Sequence, residues 1–380
     1  MSSSNNESNG PAKYTLGKRN NTYYLSVKPA EPVRRSAESF TPDDQEHNES
    51  SSFQLGAGEY QLEKLISTSR ATTYTTKIGD ESYAVKLGGT PDSVMTAFLL
   101  HNLIFDSFNK FWRDACPDLS DEDEDEDDAD NDDDDYDDDD GIIPPAFMTD
   151  AYSMIALINN STGKNNIPAG YMMECIPPLT ADHAQALVSK FISPSVAEDP
   201  NLSRLRLQVH MSELSPENQD QNTNLLFRPV YFDELWHEGE ELNFAWAMSM
   251  GVTLAILHWG CGVDARGVKF LLAPGPVGCC GTIQLWITSF DDVAPFELGP
   301  TTVQSLVDAV ISNPAWPRPA FGQSIMELVW ECFYNKYLTA SHKIMLQEGM
   351  DPRVADEFIF ELALAWRLRT APGRAQTHNP

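Results

Sequence analysis

The sequence lacks the features of a secreted or membrane-spanning protein. The 380-residue sequence contains no run of 18 or more apolar residues, which is the length that a bilayer-spanning helix needs. The polar first 52 residues contain no apolar core of a secretory signal. The six cysteines are scattered rather than paired, which favours reduced thiols. We therefore expect a cytoplasmic or nuclear protein that is not secreted.

Basic residues are also scarce, since 26 Lys and Arg stand against 57 Asp and Glu and the formal net charge is −31. Much of this excess lies in Asp121–Asp140, where 17 residues are acidic, and without those 17 charges the net charge would still be −14. A polyanion repels nucleic-acid phosphates and anionic lipid. We therefore expect no direct nucleic-acid partner and no membrane partner.

The acidic run must be solvated, because like charges at this density repel one another and cannot pack. We predict a disordered insertion at 117–141 in a surface loop. Two roles remain open for it: a solvating segment alone, or a docking site through 121–140 for a basic protein partner. Ser120 directly precedes the run and matches the pattern that acid-directed kinases phosphorylate, which would add negative charge to it.

The first half of the chain predicts a β-rich region after a polar segment. Residues 1–57 can bury little apolar surface, so we predict that they are disordered, although Tyr23–Leu25 and Phe40 could dock on the folded part. The segments YQLEKLIS, ATTYTTKI and SYAVKL then predict strands, with Gly79-Asp80 as a hairpin turn. An apolar helical repeat predicts a helix over Val94–Trp112.

The rest of the chain contains a few more candidate strands and then mostly helices. Apolar runs at Ala146–Leu157 and Gly170–Ile176 predict buried strands, and Arg204–His210 is a further candidate strand. Helical patterns follow at Ala181–Phe191, Glu241–Trp259, Thr301–Ser312, Gln323–Leu346 and Arg353–Leu368. This order predicts an α+β protein with two lobes: a small antiparallel-sheet N-lobe at 58–176 and a mainly helical C-lobe at 177–370. A nucleotide cleft between the lobes would be the natural site.

The most informative stretch, 225–292, reads as helix, tight loop, strand, Gly-rich turn and strand. Asp264 lies in the loop, and Ser289-Phe290-Asp291 ends the last strand. With the earlier Tyr83-Ala84-Val85-Lys86, this order resembles the protein-kinase-like fold. The resemblance implies that Lys86 holds nucleotide phosphates, that Glu174 in GYMMECIPP lies on the hinge strand, that Asp264 is the catalytic base and that Asp291 contacts the cofactor.

A more specific resemblance covers about Phe227 to Tyr337, with its core at about 227–292. It is carried by Leu257-His258-Trp259, Val263-Asp264-Ala265-Arg266, Thr288-Ser289-Phe290 and Asn313–Pro319. These motifs are similar to those of a fungal domain family of unknown function that is sometimes labelled as zinc-finger-associated. The family places an acidic residue at position 269 and Asp at position 289, where this chain has Lys269 and Ser289.

These departures weaken the case for catalysis. Phosphoryl transfer needs Mg²⁺ held by carboxylate and amide oxygens, and Lys269 would repel the ion while Ser289 offers no carboxylate. Asp291 or Asp292 could take over through a register shift. The first strands also lack a Gly-rich phosphate loop, since Ser67–Ala71 stands in its place, and Asp106 is the only acid in the following helix at a workable distance to pair with Lys86.

Each candidate residue also has a structural interpretation. Lys86 could simply face solvent, Asp264 could order its own loop by accepting backbone N–H groups, and His258 could pack at a helix end. Arg266 could pair with Asp264 or with Asp291. Cys279-Cys280 is more typical of structural thiols than of a chelating pair. The chain has no paired Cys-x₂₋₄-Cys and His-x₃₋₅-His spacing, so the sequence does not support zinc.

The sequence therefore predicts a kinase-like pseudoenzyme that acts as a binding module, with no metal and no required cofactor. ATP is compatible with the kinase resemblance but is only weakly supported by the residues. Two alternatives remain open: an active phosphotransferase with atypical metal ligands, or a purely structural or interaction protein that uses its acidic loop.

Overall fold

The structure is a computed structural model of the chain, and it describes residues 13–19, 22–28, 58–67, 71–79, 81–88, 90–115, 147–148, 151–155, 169–191, 200–216, 226–237, 240–275, 282–319 and 324–370. It is a mixed α+β protein with antiparallel sheets, as the sequence predicted. By contacts the chain forms two compact units: 1–98 with 150–175, and 99–149 with 176–380.

Thirteen strands are present in the described residues. In chain order they are β1 (Lys13–Arg19), β2 (Thr22–Lys28), β3 (Gly58–Gln61), β4 (Glu63–Ser67), β5 (Ala71–Ile78), β6 (Glu81–Gly88), β7 (Phe147–Met148), β8 (Ala151–Ile155), β9 (Ala169–Glu174), β10 (Arg206–His210), β11 (Phe227–Tyr231), β12 (Lys269–Pro274) and β13 (Ile283–Thr288).

Seven α-helices accompany the strands in the same described residues. They are α1 (Pro91–Ala115), α2 (Ala181–Phe191), α3 (Phe232–Trp236), α4 (Glu240–Ala255), α5 (Thr302–Ile311), α6 (Ser324–Gln347) and α7 (Arg353–Thr370). The long helices that the apolar repeat predicted are confirmed to within a few residues, because one buried face repeating every three to four residues is a local signal.

The first unit contains a three-stranded antiparallel sheet, in the order β1-β2-β3, and a five-stranded antiparallel sheet, in the order β4-β5-β6-β9-β8. The predicted hairpin is confirmed: β5 pairs with β6 from Ile78 opposite Glu81, and Gly79 turns the chain at φ +65°. Glycine suits that position because the left-handed region strains residues with a Cβ.

The prediction that 1–57 is disordered is wrong for β1 and β2, which pair along their full length. Leu25 is fully buried and packs in one apolar cluster with Val85 and Met172 of the five-stranded sheet. Of the segment Tyr23–Leu25, which was predicted to dock on the folded part, Leu25 is therefore shown to do so. The average composition of residues 1–57 does not reveal β2, because this strand is stabilised by residues that are distant in the sequence. Phe40 lies outside the described residues.

The second unit combines its helices with a five-stranded mixed sheet in the order β11-β10-β12-β13-β7. The sequence did not predict β11, in which Arg228 and Pro229 interrupt the apolar pattern. Arg228 is nevertheless buried, since its guanidinium forms a bidentate pair with Glu234 of α3, with Nη2–Oε1 at 2.6 Å and Nη1–Oε2 at 3.1 Å. The strand pairs parallel to β10.

Helices α4 and α6 form the centre of the second unit's core. They approach so closely at Gly251 that a Cβ there would lie 2.3 Å from the Phe333 carbonyl oxygen. Within the described residues, Leu242–Gly260 is long and apolar enough to cross a membrane by length and composition, but 78% of it is buried inside the fold. Such burial is typical of a core helix. Its packing places the loop that follows it.

Candidate functional site

The candidate site is built on the loop between α4 and β12. After α4 the chain makes a π-helical turn over Ile256–Gly260, closed by the Cys261 N–H donating to the Ile256 carbonyl at 2.9 Å. The sequence predicted a regular helix to Trp259. A π-helical turn contains one residue more than an α-helical turn, and an apolar repeat does not reveal this insertion. Such turns are frequent at functional sites.

Asp264, the predicted catalytic base, lies in this loop with 4% of its surface exposed. Its Oδ1 accepts the backbone N–H of Ala294 at 2.9 Å and that of Arg266 at 3.2 Å. Its Oδ2 pairs with the Arg266 guanidinium at 2.9 Å. Of the two partners suggested for Arg266, the structure therefore shows Asp264. Both carboxylate oxygens have partners within the protein.

Two strained backbone positions mark the same region. Among the described residues, Ala265 (φ 54°) and Ser289 (φ 71°) are the only non-glycine residues with positive φ. Ala265 follows Asp264, and Ser289 begins the turn that contains Asp291. Strain of this kind persists only where the surrounding structure enforces it, and it clusters at functional sites. The sequence does not predict a positive φ at Ala265, because alanine rarely adopts this conformation.

The loop that contains Asp264 and the turn that contains Asp291 are neighbours in the structure. Strand β12 pairs with β13 so that Lys269 is opposite Thr288, one residue before Ser289. A Cβ on Gly267 would lie 2.6 Å from the Asp292 Cβ. The 3₁₀ turn Phe290–Asp292 follows, with Asp291 partly buried and Asp292 exposed. Lys269 and the Asp291 turn thus flank the Asp264 loop.

The Phe290 ring holds the turn in place. It is 3% exposed, and its edge meets the His101 ring of α1 with centroids 5.3 Å apart at 82°. The sequence gives no sign of this contact, because 189 positions separate His101 from Phe290 and a helical repeat does not show which element its buried face meets. The contact connects the site to α1.

A fully buried aromatic cluster anchors the start of the loop. The His258 Nδ1 lies 3.1 Å from the Tyr337 hydroxyl, and the Trp259 Nε1–H donates to that hydroxyl and to Ser341, each at 3.0 Å. Burial lowers the pKa of His258 to about 3, so the ring is neutral. The packing interpretation of His258 fits this environment. Sequence reasoning missed Tyr337, whose position on α6 carries no motif.

The other two predicted cofactor residues lie in the first unit, on neighbouring strands. Lys86 of β6 is opposite Tyr171 of β9, and Glu174 of β9 is opposite Tyr83. The Lys86 Nζ lies 5.9 Å from the Tyr171 ring centroid, within the range of a cation–π contact. Both side chains are partly buried. Their roles on a nucleotide stay predictions.

Several predicted features lie outside the described residues. They are Ser120, the insertion 117–141 with its acidic run, and Cys279-Cys280. The modification of Ser120 and the docking of a basic partner on 121–140 therefore stay predictions.

Comparison with known proteins gives a family match over part of the chain. Residues 285–349 match the model of a domain of unknown function, DUF3669, described as "Zinc finger protein". The matched range includes the motifs Thr288-Ser289-Phe290 and Asn313–Pro319 and begins after those at 257–266. The predicted resemblance to a domain family with a zinc-finger label is confirmed, and its fungal character stays a prediction.

No curated protein matches the chain significantly. Fourteen chains of solved structures match it. One of these, "WaaP in complex with acyl carrier protein", is 10% identical over 79% of this chain and 89% of its own, with a TM-score of 0.32. A TM-score this low carries no argument about fold or activity.

The zinc-finger label does not fit the residues present. A structural zinc site needs four Cys or His ligands in a tetrahedron. The matched range 285–349 contains one cysteine, Cys332, and one histidine, His342. Within the part of the chain that the structure describes, no group of three or more His, Cys, Asp or Glu side chains could hold a metal. Burial also raises the pKa of Cys261 to about 12, which disfavours a thiolate ligand.

Proposed function

We propose that this protein is a kinase-like pseudoenzyme that works as a binding module and does not transfer phosphate. One observation carries the proposal: the Asp264 carboxylate is buried and engaged on both oxygens by Ala294, Arg266 and the Arg266 guanidinium. A catalytic base must be able to accept a substrate proton at one of its oxygens. Asp264 would have to break loop-forming bonds to do so.

The metal-binding positions support the same proposal. A phosphotransferase holds Mg²⁺ through carboxylate and amide oxygens that bridge to the nucleotide. Position 269 offers an ammonium group that would repel the ion, and position 289 offers a hydroxyl on a strained backbone. Asp291 would be the nearest replacement ligand in sequence. The proposal therefore assigns Asp264 to loop structure rather than to chemistry.

The finer architecture is part of the proposal. We take 58–176 as a β-rich lobe and 177–370 as a mainly helical lobe of a kinase-like fold. Two features favour this assignment: Lys86 lies on a central strand of a five-stranded antiparallel sheet, and its neighbour β9 carries the hinge-like sequence around Glu174. We also propose that the module needs no cofactor and that it is located in the cytoplasm or the nucleus.

Thermal melting of the full-length protein with ATP, with and without Mg²⁺, tests the proposal. Ligand that binds only the folded state raises the melting midpoint by mass action. We expect either no shift or a small shift that does not depend on Mg²⁺. A Mg²⁺-dependent rise that disappears in Asp291→Asn, together with ATP turnover, would instead establish the active phosphotransferase.

Lys86→Gln serves as the matched control for nucleotide binding. If a small Mg²⁺-independent shift occurs and Lys86→Gln removes it, the degenerate site still holds phosphate without transferring it. Asp264→Ala is unsuitable as the main variant, because losing its hydrogen bonds would change stability as well as any chemistry.

We further propose that the binding partner is a basic protein segment recognised by the acidic run 121–140. Seventeen acidic residues in this run supply the complementary charge. Deleting 121–140 should abolish binding of a Lys/Arg-rich peptide and leave the melting midpoint unchanged. Binding should weaken steeply as salt rises. Phosphorylation by an acid-directed kinase should be lost in Ser120→Ala.

A further inference from the structure

Helix α7 carries an apolar stripe on the face opposite to the core. Its buried face consists of Ala355, Phe358, Ile359 and Leu362, which join the main cluster of the second unit. On the other face Phe360 is 65% exposed, Leu364 is 39% exposed and Leu368 is 56% exposed. Exposing an aromatic and two leucines at i, i+4 and i+8 is unfavourable unless another surface covers them.

The exposed residues of α7 follow the spacing of a helix–helix seam. Arg353, Glu357, Phe360, Leu364 and Arg367 are all exposed and are separated by alternating steps of four and three residues. This alternation keeps side chains on one line along a helix and is the pattern that packs against a second helix. The apolar pair is central, and a charged residue lies on each side of it.

The charge of α7 differs from that of the rest of the chain. Three acidic residues (Asp356, Glu357, Glu361) and three arginines (Arg353, Arg367, Arg369) give it no net charge, although the whole chain carries −31. The seam itself places an acid, Glu357, before the apolar pair and a base, Arg367, after it. A neutral element with charges of both signs adds no net repulsion between two acidic chains that meet there.

We propose that α7 is the contact by which two copies of this chain form an antiparallel dimer. A twofold axis passing beside the midpoint between Phe360 and Leu364 would place Phe360 of each copy against Leu364 of the other. The same axis would bring Glu357 of each copy to Arg367 of the other. One symmetric contact thus covers both apolar residues and brings opposite charges together at both ends of the seam, as an isologous interface requires.

A pair between Glu357 and Arg367 can form only between two chains. Glu357 and Arg367 are ten residues apart on one helix, which corresponds to about 15 Å along its axis. They cannot reach each other within a single copy. Self-complementarity of this kind favours a second copy over an unrelated helix, and the charged ends of the seam disfavour burial in a lipid surface. A contact of one helix pair is small, so we expect a weak dimer.

Sedimentation velocity of the full-length protein over about 1–200 µM tests the proposal, a range suited to a small interface. We expect a concentration-dependent shift from monomer to dimer. Glu357→Arg alone and Arg367→Glu alone should each weaken the dimer by about tenfold or more, because like charges then face each other twice. Phe360→Ser should weaken it without any change of charge. Leu346→Ser, which removes an exposed leucine of α6 outside the seam, is the matched control and should have no effect.

The decisive measurement mixes the two single charge variants. In a mixed pair the Glu357→Arg copy presents two arginines and the Arg367→Glu copy two glutamates, so both cross-chain pairs are restored. The double variant Glu357→Arg/Arg367→Glu should also regain wild-type assembly. These positions are exposed, and unchanged circular dichroism melts would verify folding. A monomer at every wild-type concentration, or singles whose mixture stays monomeric, would overturn the proposal.

Discussion

Asp264 and Ala294 exchange two hydrogen bonds across the candidate site. The Asp264 backbone N–H donates to the Ala294 carbonyl at 3.0 Å, and the Ala294 N–H donates to the Asp264 Oδ1 at 2.9 Å. The adjacent Val263 forms a bridge with Pro295. This pairing ties the loop after α4 to the segment after the Phe290 turn. Asp264 therefore contributes to stability whatever the site binds.

Replacing Asp264 should destabilise the fold. Asp264→Ala removes the acceptor of the Ala294 and Arg266 N–H groups, whose bonds are part-buried, and the Arg266 ion pair. A fully buried unsatisfied group costs about 1–3 kcal/mol, so we expect a total loss of about that size. Asp264→Asn keeps one acceptor oxygen, so its loss should be smaller. Urea unfolding monitored by tryptophan fluorescence measures both. Equal stability of Asp264→Ala and wild type would show that the pairing contributes nothing.

His258 should make stability depend on pH in mildly acidic solution. Its folded pKa of about 3 lies below its ordinary value of 6.5, so between these values only the unfolded chain binds the proton. Its contribution is fully present above about pH 6.5 and falls by about 1.4 kcal/mol per pH unit as the pH decreases. Unfolding measured at pH 7.0, 6.0 and 5.0 reveals this slope.

His258→Asn should flatten that slope. Asparagine does not titrate and has a polar atom near the position of Nδ1, so the contact with Tyr337 can persist. The variant will be less stable at pH 7, and only the change in slope is diagnostic. His237→Gln, at an exposed histidine of the same unit, is the comparison variant. A wild-type slope in His258→Asn would contradict the assignment.

Gly251 should not tolerate a side chain. A Cβ there would lie 2.3 Å from the Phe333 carbonyl oxygen and 2.9 Å from the Tyr337 backbone nitrogen, so α4 and α6 would have to separate. We expect Gly251→Ala to cost about 1–3 kcal/mol as overpacking. Gly299→Ala is the control, because a Cβ there meets nothing within 4 Å. Similar denaturation midpoints for the two variants would refute the close approach.

The buried pair of Arg228 and Glu234 should be costly to break. Their side chains are 1% and 7% exposed, so Glu234→Gln removes the carboxylate charge that pairs with the buried Arg228 guanidinium. Breaking such a pair costs about 3–5 kcal/mol. Asp351→Asn removes a partner of Arg353 from an exposed pair and should cause no measurable change. Chemical denaturation of both variants compares them directly, and a Glu234→Gln protein as stable as Asp351→Asn would contradict the prediction.

Local patterns in the sequence determined the long helices and the β5–β6 hairpin. The apolar repeat of α7, the Gly79 turn and the alternation in SYAVKL each lie within a few residues, so the physical cause and its sequence signal coincide. The sequence also placed Asp264 in a loop and Ser289–Asp291 at a strand end. It predicted a zinc-finger-labelled family without zinc spacing, and a family model of that label matches 285–349.

Only the tertiary structure decided what those residues contact. Leu25 belongs to the core because Val85 and Met172 lie around it, and Arg228 is tolerated inside because Glu234 neutralises it. The Asp264 carboxylate stabilises its loop because the Ala294 N–H lies close enough to donate a hydrogen bond to it. Such partners are brought together by burial of distant apolar surface. A sequence pattern records the period of each element but not the neighbour that its buried face meets.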